Sequence, residues 1–195
     1  MRFVIMADGK GTRWDNYMGI PKHLVEINGE PVISRTVRLL NELTDGKSEV
    51  IITSHDHRYE FNGSRRYEPL NNKLEIDRFT RELIQDNICF LYGDTYYTEE
   101  SLTKIMEKEP EDILFFGNRK SIVAVKVKDS DLFMQHIDRV RMLFLEGKLK
   151  KCVGWQVYQS VVGQDFADKA VPADKFVMLD EKTTDINTPE EYEVI

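Results

Sequence analysis

Gly9, Lys10, Gly11, Thr12 and Arg13 stand directly after the apolar run Arg2–Ala7, and Lys22 follows in a Pro21-Lys22 pair. Glycine permits positive φ and lets backbone N–H groups come close to phosphate oxygens. Arginine forks onto phosphate, while lysine acts as a mobile point charge. Lys10, Arg13 and Lys22 place three cations within thirteen residues of a chain whose formal net charge is −7. The chemistry they suggest is the holding of a polyphosphate, against the plainer reading of a structural turn with incidental charge. Two phosphate motifs are excluded. A Walker loop requires GxxxxGK[ST], and here Lys10 precedes its glycine. A dinucleotide fingerprint requires GxGxxG, and the third glycine position is Trp14.

Two acidic positions are placed to work with such a loop. Asp94 follows Tyr92-Gly93 at the end of the apolar run Ile88–Tyr92, and Asp185 opens the string Asp185-Ile186-Asn187-Thr188-Pro189-Glu190-Glu191. Taken alone, Asp94 also reads as a cap for the segment after it. Asp180 and Glu181 read as surface or acceptor-side residues. His55 and His57 form an H-x-H without further ligands in register, and are read as a solvated loop rather than a transition-metal site.

The order G-x-G-T-R, then Pro21-Lys22, then Asn28-Gly29-Glu30-Pro31-Val32-Ile33 resembles the nucleotidyltransferase family, matching at Ala7, Gly9, Gly11, Thr12, Arg13, Pro21, Lys22, Gly29 and Pro31. It departs at Asp8, where the family has a small residue, and at Trp14, where it has Met or Leu. The segment from Asp185 to Glu191 resembles the family's closing D-I-x-T-P-E-D motif. The resemblance implies transfer of a nucleotidyl group from a nucleoside triphosphate to a phosphorylated sugar, alditol or small phospho-alcohol, with release of pyrophosphate. It implies Mg²⁺ as cofactor, held by Asp94 and Asp185. Lys22 would meet the α-phosphate and the incoming phosphate, and Arg13, helped by Lys10, the β- and γ-phosphates. Ala7, Asp8, Gly9, Gly11 and Thr12 would line the nucleotide, with Asn71 and Asn72 near its base or ribose. The glucose-type and molybdopterin-type signatures are missing, so the resemblance leans to the small cytidylyltransferases of capsule and envelope building blocks, and to CTP.

Candidate acceptor contacts are Arg65, Arg66, Arg119 and Lys120, set against solvated surface charge. Trp155 and Tyr158 are read as either acceptor pocket or core. Two other function classes remain. One is a non-catalytic nucleotide-sensing domain. The other is a glycosyltransferase using a nucleotide-sugar, weakened because Asp94-Thr95-Tyr96 is not a D-x-D.

Such residues need a rigid frame. Arg2–Ala7, Glu49–Ser54 and Ile88–Tyr92 are continuous apolar runs, as in strands buried on both faces of a parallel sheet. Further strands are expected at 112–116, 122–127 and 176–179, with a short extended piece at 23–27. Residues 8–20 and 55–72 read as loop, the latter with room for a small ribbon. Helices are expected from Pro31, over 74–84, 99–108, 130–146 and 154–162, and from Thr188-Pro189 with Thr188 as N-cap. Alternating strands and helices predict one α/β domain, a three-layer αβα sandwich around a mostly parallel, Rossmann-like (GT-A-like) sheet. Ligands in such folds bind beyond the carboxyl ends of the strands, where the Asp8–Arg13 loop and Asp94 both fall.

The 195 residues suit one domain, and 41% hydrophobic residues supply a core. The acidic balance excludes a general nucleic-acid binder. No apolar run reaches the ~18 residues of a membrane span. Cys89 and Cys152 read as a reduced, buried pair, and the expectation is a cytoplasmic monomer or homodimer without a membrane partner.

Overall fold

The apolar run after Met1 becomes the strand around which the sheet is built. The computed structural model describes residues 1–169, 172 and 174–195. In chain order the elements are β1 (Arg2–Met6), β2 (Glu26–Ile27), β3 (Glu30–Pro31), α1 (Val32–Leu43), β4 (Glu49–Thr53), β5 (Arg65–Tyr67), β6 (Ile88–Tyr92), β7 (Thr95–Tyr96), α2 (Glu99–Glu107), β8 (Ile113–Gly117), β9 (Ile122–Val127), α3 (Ser130–Leu145), α4 (Gly154–Val162), β10 (Phe176–Met178), β11 (Thr184–Asp185) and α5 (Pro189–Glu193). The main sheet has seven strands in the order β10-β8-β9-β6-β1-β4-β5. β1 pairs in parallel with β4 and β6, so that Ile5 lies beside both Ile52 and Leu91. Among the described strands of this sheet, only β9 runs against its neighbours, β6 and β8. The expected mostly parallel, three-layer α/β fold is therefore present, with one reversed strand.

The period-2 pleat divides β1 between two cores. Phe3 and Ile5 pack with Ile33, Val37 and Leu40 of α1 and Leu102 and Ile105 of α2. Val4 and Met6 pack on the other face, with Phe133, Ile137 and Val140 of α3 and Val157 and Tyr158 of α4. No described helix is long and apolar enough to cross a membrane.

Three local expectations change. The 74–84 segment is not an α-helix. It forms two 3₁₀ segments, Glu75–Phe79 and Arg81–Leu83, separated by Thr80 at φ 41. Ile76, Phe79 and Leu83 still face the core, but their spacing is served by the tighter three-residue turn. Arg65–Tyr67 is no isolated ribbon, because it joins β4 in parallel as the edge of the main sheet, where charged residues are common. Within 23–27, Lys22–Leu24 is a 3₁₀ turn and only Glu26–Ile27 is strand; the latter pairs with β3 across the Asn28-Gly29 turn, both at positive φ. Thr188 caps α5 as expected, accepting from the Glu191 N–H.

Candidate active site

The glycine loop leaves β1 at the carboxyl edge of the sheet, between the ends of β4 and β6. The Ala7 N–H still donates to the Thr53 carbonyl at 3.1 Å. Gly11 turns the chain at φ 58, which glycine adopts without steric cost. Trp14 then pins the loop. Its ring is buried, its Nε1–H donates to the Ile20 carbonyl at 2.7 Å, and it meets Tyr17 and Tyr192 edge-on. Tyr192 belongs to α5, so this departure from the family pattern ties the loop to the closing motif.

Asp94 is placed by the close approach of β6 to β1. A side chain on Gly93 would sit 2.8 Å from the Met6 carbonyl oxygen, so glycine lets the two strand ends lie against each other. Immediately beyond, β7 pairs antiparallel with β11, setting Asp185 opposite Thr95. The Ile186 N–H donates to the Asp94 carbonyl at 2.7 Å. This ribbon joins residues from the middle and the end of the chain.

The side chains then interlock. Lys22 forms an ion pair with Asp94, and the two side chains are 9% and 10% exposed. Lys22 Nζ also donates to Asn187 Oδ1 at 3.2 Å, and Arg13 Nη2 donates to the same oxygen at 2.7 Å. Asn187 Nδ2 donates to Asp185, whose other carboxylate oxygen accepts from the Ser121 hydroxyl at 2.8 Å. Burial works to raise the Asp94 carboxyl, but the adjacent Lys22 charge and hydrogen bond hold it below its ordinary value. His23 behind this pair accompanies Tyr59, with Nδ1 and the hydroxyl 2.9 Å apart. Burial depresses its imidazole to about 4, so it is neutral near pH 7 and adds no charge beside Lys22.

An open cleft of about 530 Å³ lies over the loop, lined by Ala7, Asp8, Gly9, Lys10, Gly11 and Lys22 at one side, and by Ser54, His55, Asp56, Arg58, Tyr59 and Asn72 at the other. Asp8 also lines this cleft. Its carboxylate accepts from the His55 backbone N–H at 3.0 Å, from His55 Nδ1 at 2.9 Å and from Asn72 Nδ2 at 2.8 Å. Lys10 and Lys22 thus line one side of the cleft, Arg58 paired with Asp56 lines the other, and the Asp8 carboxylate is held by His55 at the β4 end. Two carboxylates are a donor set that a hard divalent ion takes, and Asp94 and Asp185 are the residues here that could hold one.

The expected site residues gather unevenly. Lys22, Arg13, Asp94 and Asp185 meet in one hydrogen-bonded network. Thr12 is exposed outside the cleft lining, and Arg13 lies on the outer side of the network. Asn71 is separated from Asn72 and borders a groove against α3. His55 and His57 diverge, the latter lying beside Arg66 at 3.0 Å, and no cluster of three His, Cys, Asp or Glu suited to a metal occurs among the described residues. Arg65 and Arg66 sit on the edge strand, paired with Glu49, Glu60 and Glu68. Arg119 and Lys120 lie in the β8–β9 turn next to Ser121. Trp155 and Tyr158 are packing residues: Trp155 stacks on Phe176, and Tyr158 meets Phe115 and Phe176 edge-on.

Three residues escaped the sequence reading. Asn187 and Ser121 orient Asp185, and Arg78 lays its guanidinium over Gly9, 3.1 Å from where a side chain would begin. Asn187 stood inside the closing motif at its variable position. Arg78 carried no local signal, because its contact is made only in the folded chain.

No family model and no curated relative matches the sequence. Solved structures do match. The CTP:phosphocholine cytidylyltransferase from Streptococcus pneumoniae is 15% identical, with 99% of this chain and 96% of that chain covered at a TM-score of 0.59. The inositol-1-phosphate CTP transferase from T. maritima is 14% identical, covering 97% and 90% at 0.56. The 2-C-methyl-D-erythritol 4-phosphate cytidylyltransferase from Thermus thermophilus is 10% identical, covering 99% and 95% at 0.58. The chain thus has the nucleotidyltransferase fold along its whole length.

Proposed function

We propose that this protein is a nucleotidyltransferase that moves a nucleotidyl group from CTP to a small phosphorylated acceptor and releases pyrophosphate, with Mg²⁺ as cofactor. The observation that carries the reading is the convergence of Lys22, Asp94, Asn187 and Asp185 beside the glycine-rich cleft. The structures of the same fold named above are cytidylyltransferases, which supports the reaction class.

An acceptor phosphate oxygen attacks the α-phosphorus, a new P–O bond forms, and the bond from the α-phosphorus to the bridging oxygen breaks. Its electron pair leaves with pyrophosphate. Two anions must meet, so neutralisation and alignment supply the catalysis, and no covalent nucleophile is required. Lys22 Nζ moves between Asp94 and the phosphates, and Lys10 and the Gly9–Gly11 backbone hold the triphosphate. Asp94 and Asp185 would hold the magnesium ion, which when bound would supply neutralisation of phosphate charge. Asn187 and Ser121 keep Asp185 oriented, and Arg13 stands where the incoming acceptor can meet it. CTP is favoured over UTP because Asp8 offers an acceptor to an exocyclic amino group, whereas uracil carries a carbonyl there.

The test is pyrophosphate release with CTP, UTP, GTP, ATP and dTTP, each with magnesium and a panel of phosphorylated acceptors. Acceptor-dependent release, strongest with CTP, is expected. Hydrolysis of a nucleotide-sugar without pyrophosphate release would replace the reading with a glycosyltransferase, and binding without turnover would replace it with a sensing domain.

A further inference from the structure

A second cleft, of about 570 Å³, opens on the far side of the glycine loop. Its lining includes Arg13, Lys150, Lys151 and Glu75, with Leu74, Phe144 and Val153 among its apolar walls. Three of its side chains are cationic in a protein of net charge −7. Lys150 and Lys151 are exposed and make no ion pair among the described residues. Glu75, the single carboxylate of the lining, already lies 3.5 Å from Arg78. The cleft is joined to the candidate active site at both ends. Arg13 donates to Asn187, the residue that also accepts from Lys22. The start of α4, just after Lys151, presses so closely on Tyr92 that Gly154 has no room for a side chain, and Tyr92 precedes Gly93-Asp94.

We propose that this cleft is the acceptor subsite, that Lys150 and Lys151 bind the acceptor's anionic group, and that the acceptor is a phosphomonoester on a short, hydroxyl-poor body. The inference rests on the nucleotidyl-transfer reading. The positive charge calls for an anion. With Lys150, Lys151 and Arg13 engaged by the phosphomonoester and Glu75 by Arg78, the lining holds no Ser, Thr, Asn or Gln side chain left for the hydroxyls of a sugar ring, which costs such a ligand affinity. Leu74, Phe144 and Val153 instead suit carbon. The lysines draw the phosphomonoester in, and Arg13 stands between this cleft and the Lys22–Asp94 pair, on the path to the α-phosphate.

Phosphocholine and glucose 1-phosphate serve as hydroxyl-poor and hydroxyl-rich probes. Each is titrated calorimetrically into the full chain, with and without CTP and without divalent metal. The wild-type protein is compared with the double variant Lys150→Gln/Lys151→Gln, whose exposed positions leave folding intact. The expected result is phosphocholine bound about tenfold more tightly than glucose 1-phosphate, and weakened about tenfold or more in the double variant, with CTP affinity unchanged. Equal phosphocholine affinity in the variant, a preference for glucose 1-phosphate, or no binding of either probe would overturn the proposal. CTP titrated alone with magnesium reports separately on the function itself: a protein that ignores magnesium–CTP refutes the CTP-dependent transferase reading, whichever way the acceptor probes behave.

Discussion

Asn187 Oδ1 accepts from Lys22 Nζ at 3.2 Å across 165 residues of sequence, while the amide nitrogen of the same side chain donates to Asp185. One amide thereby sets the spacing between the candidate catalytic lysine and a candidate metal carboxylate. Groups that orient a metal ligand typically contribute about 10–100-fold to affinity or activity. Asn187→Ala is expected to lower kcat by about tenfold or more and to raise the magnesium concentration needed for half-maximal rate. Asn187→Gln, which keeps the amide, should recover part of both. A variant that changed thermal stability alone, with metal dependence intact, would assign Asn187 a purely structural role.

The Lys22–Asp94 pair is nearly dehydrated, so removing one partner strands the other. Lys22→Ala is expected to reduce turnover by about 10²-fold or more and to destabilise the metal-free protein by about 3 kcal/mol, the order found when a buried pair loses a member. Magnesium should then stabilise Lys22→Ala more than the wild type, since the cation offers Asp94 a replacement partner. Chemical denaturation of both proteins with and without magnesium measures this difference. Equal magnesium shifts would argue that Asp94 does not hold the ion.

His23 gives a stability prediction with a definite sign. Burial lowers its imidazole from 6.5 to about 4, so between those values the unfolded chain binds a proton that the native protein refuses. Stability therefore falls as pH drops from about 6.5 to 4, by roughly 3 kcal/mol for a shift of this size, and levels below it. In His23→Gln this component of the slope should vanish. Urea denaturation at half-unit pH steps makes the comparison, and a parallel slope in the variant would place the titration elsewhere.

The frame was legible where burial is complete. β1, β4 and β6 lie between two helical layers, so their apolar runs stand out against a chain with 31% charged residues. The reversed direction of β9 was also available in principle, because only Asn118–Ser121 separate it from β8, and so short a connection closes a hairpin. The β7–β11 ribbon was not available, since two residues per strand carry no periodicity. It is nonetheless what brings Asp94 and Asp185 together. The 74–84 segment misled for a physical reason: apolar residues three and four apart satisfy an α-helix and consecutive 3₁₀ turns alike. Trp14 stood out only as a departure from the resembled pattern, and its indole holds the glycine loop against α5. The Asp94 and Asp185 positions were readable from motif context, whereas Asn187, Ser121, Arg78 and the second cleft depend on contacts between distant parts of the chain.

Asp8 governs the last prediction. A carboxylate in a triphosphate cleft would repel its ligand if it faced the phosphates, but His55 and Asn72 hold it toward the β4 end, with its side chain 10% exposed. A carboxylate has about four acceptor positions; the His55 backbone N–H takes one, Asn72 another, and the His55 ring, 3.0 and 2.9 Å from the two oxygens, is shared between them. A cytosine amino group can take over one of the ring's two contacts, whereas the acceptor-only carboxylate offers no donor to the uracil carbonyl. Asp8→Asn replaces one oxygen by an amine, which offers a donor to the uracil carbonyl. The variant is expected to narrow the preference for CTP over UTP by about tenfold, read as the ratio of the two kcat/KM values, while the acceptor KM stays constant. Titration with dCTP separates base from sugar: a loss of CTP affinity in Asp8→Asn that is absent for dCTP would mean that the carboxylate reads the ribose hydroxyl, and the base preference would then have to come from the backbone of the loop.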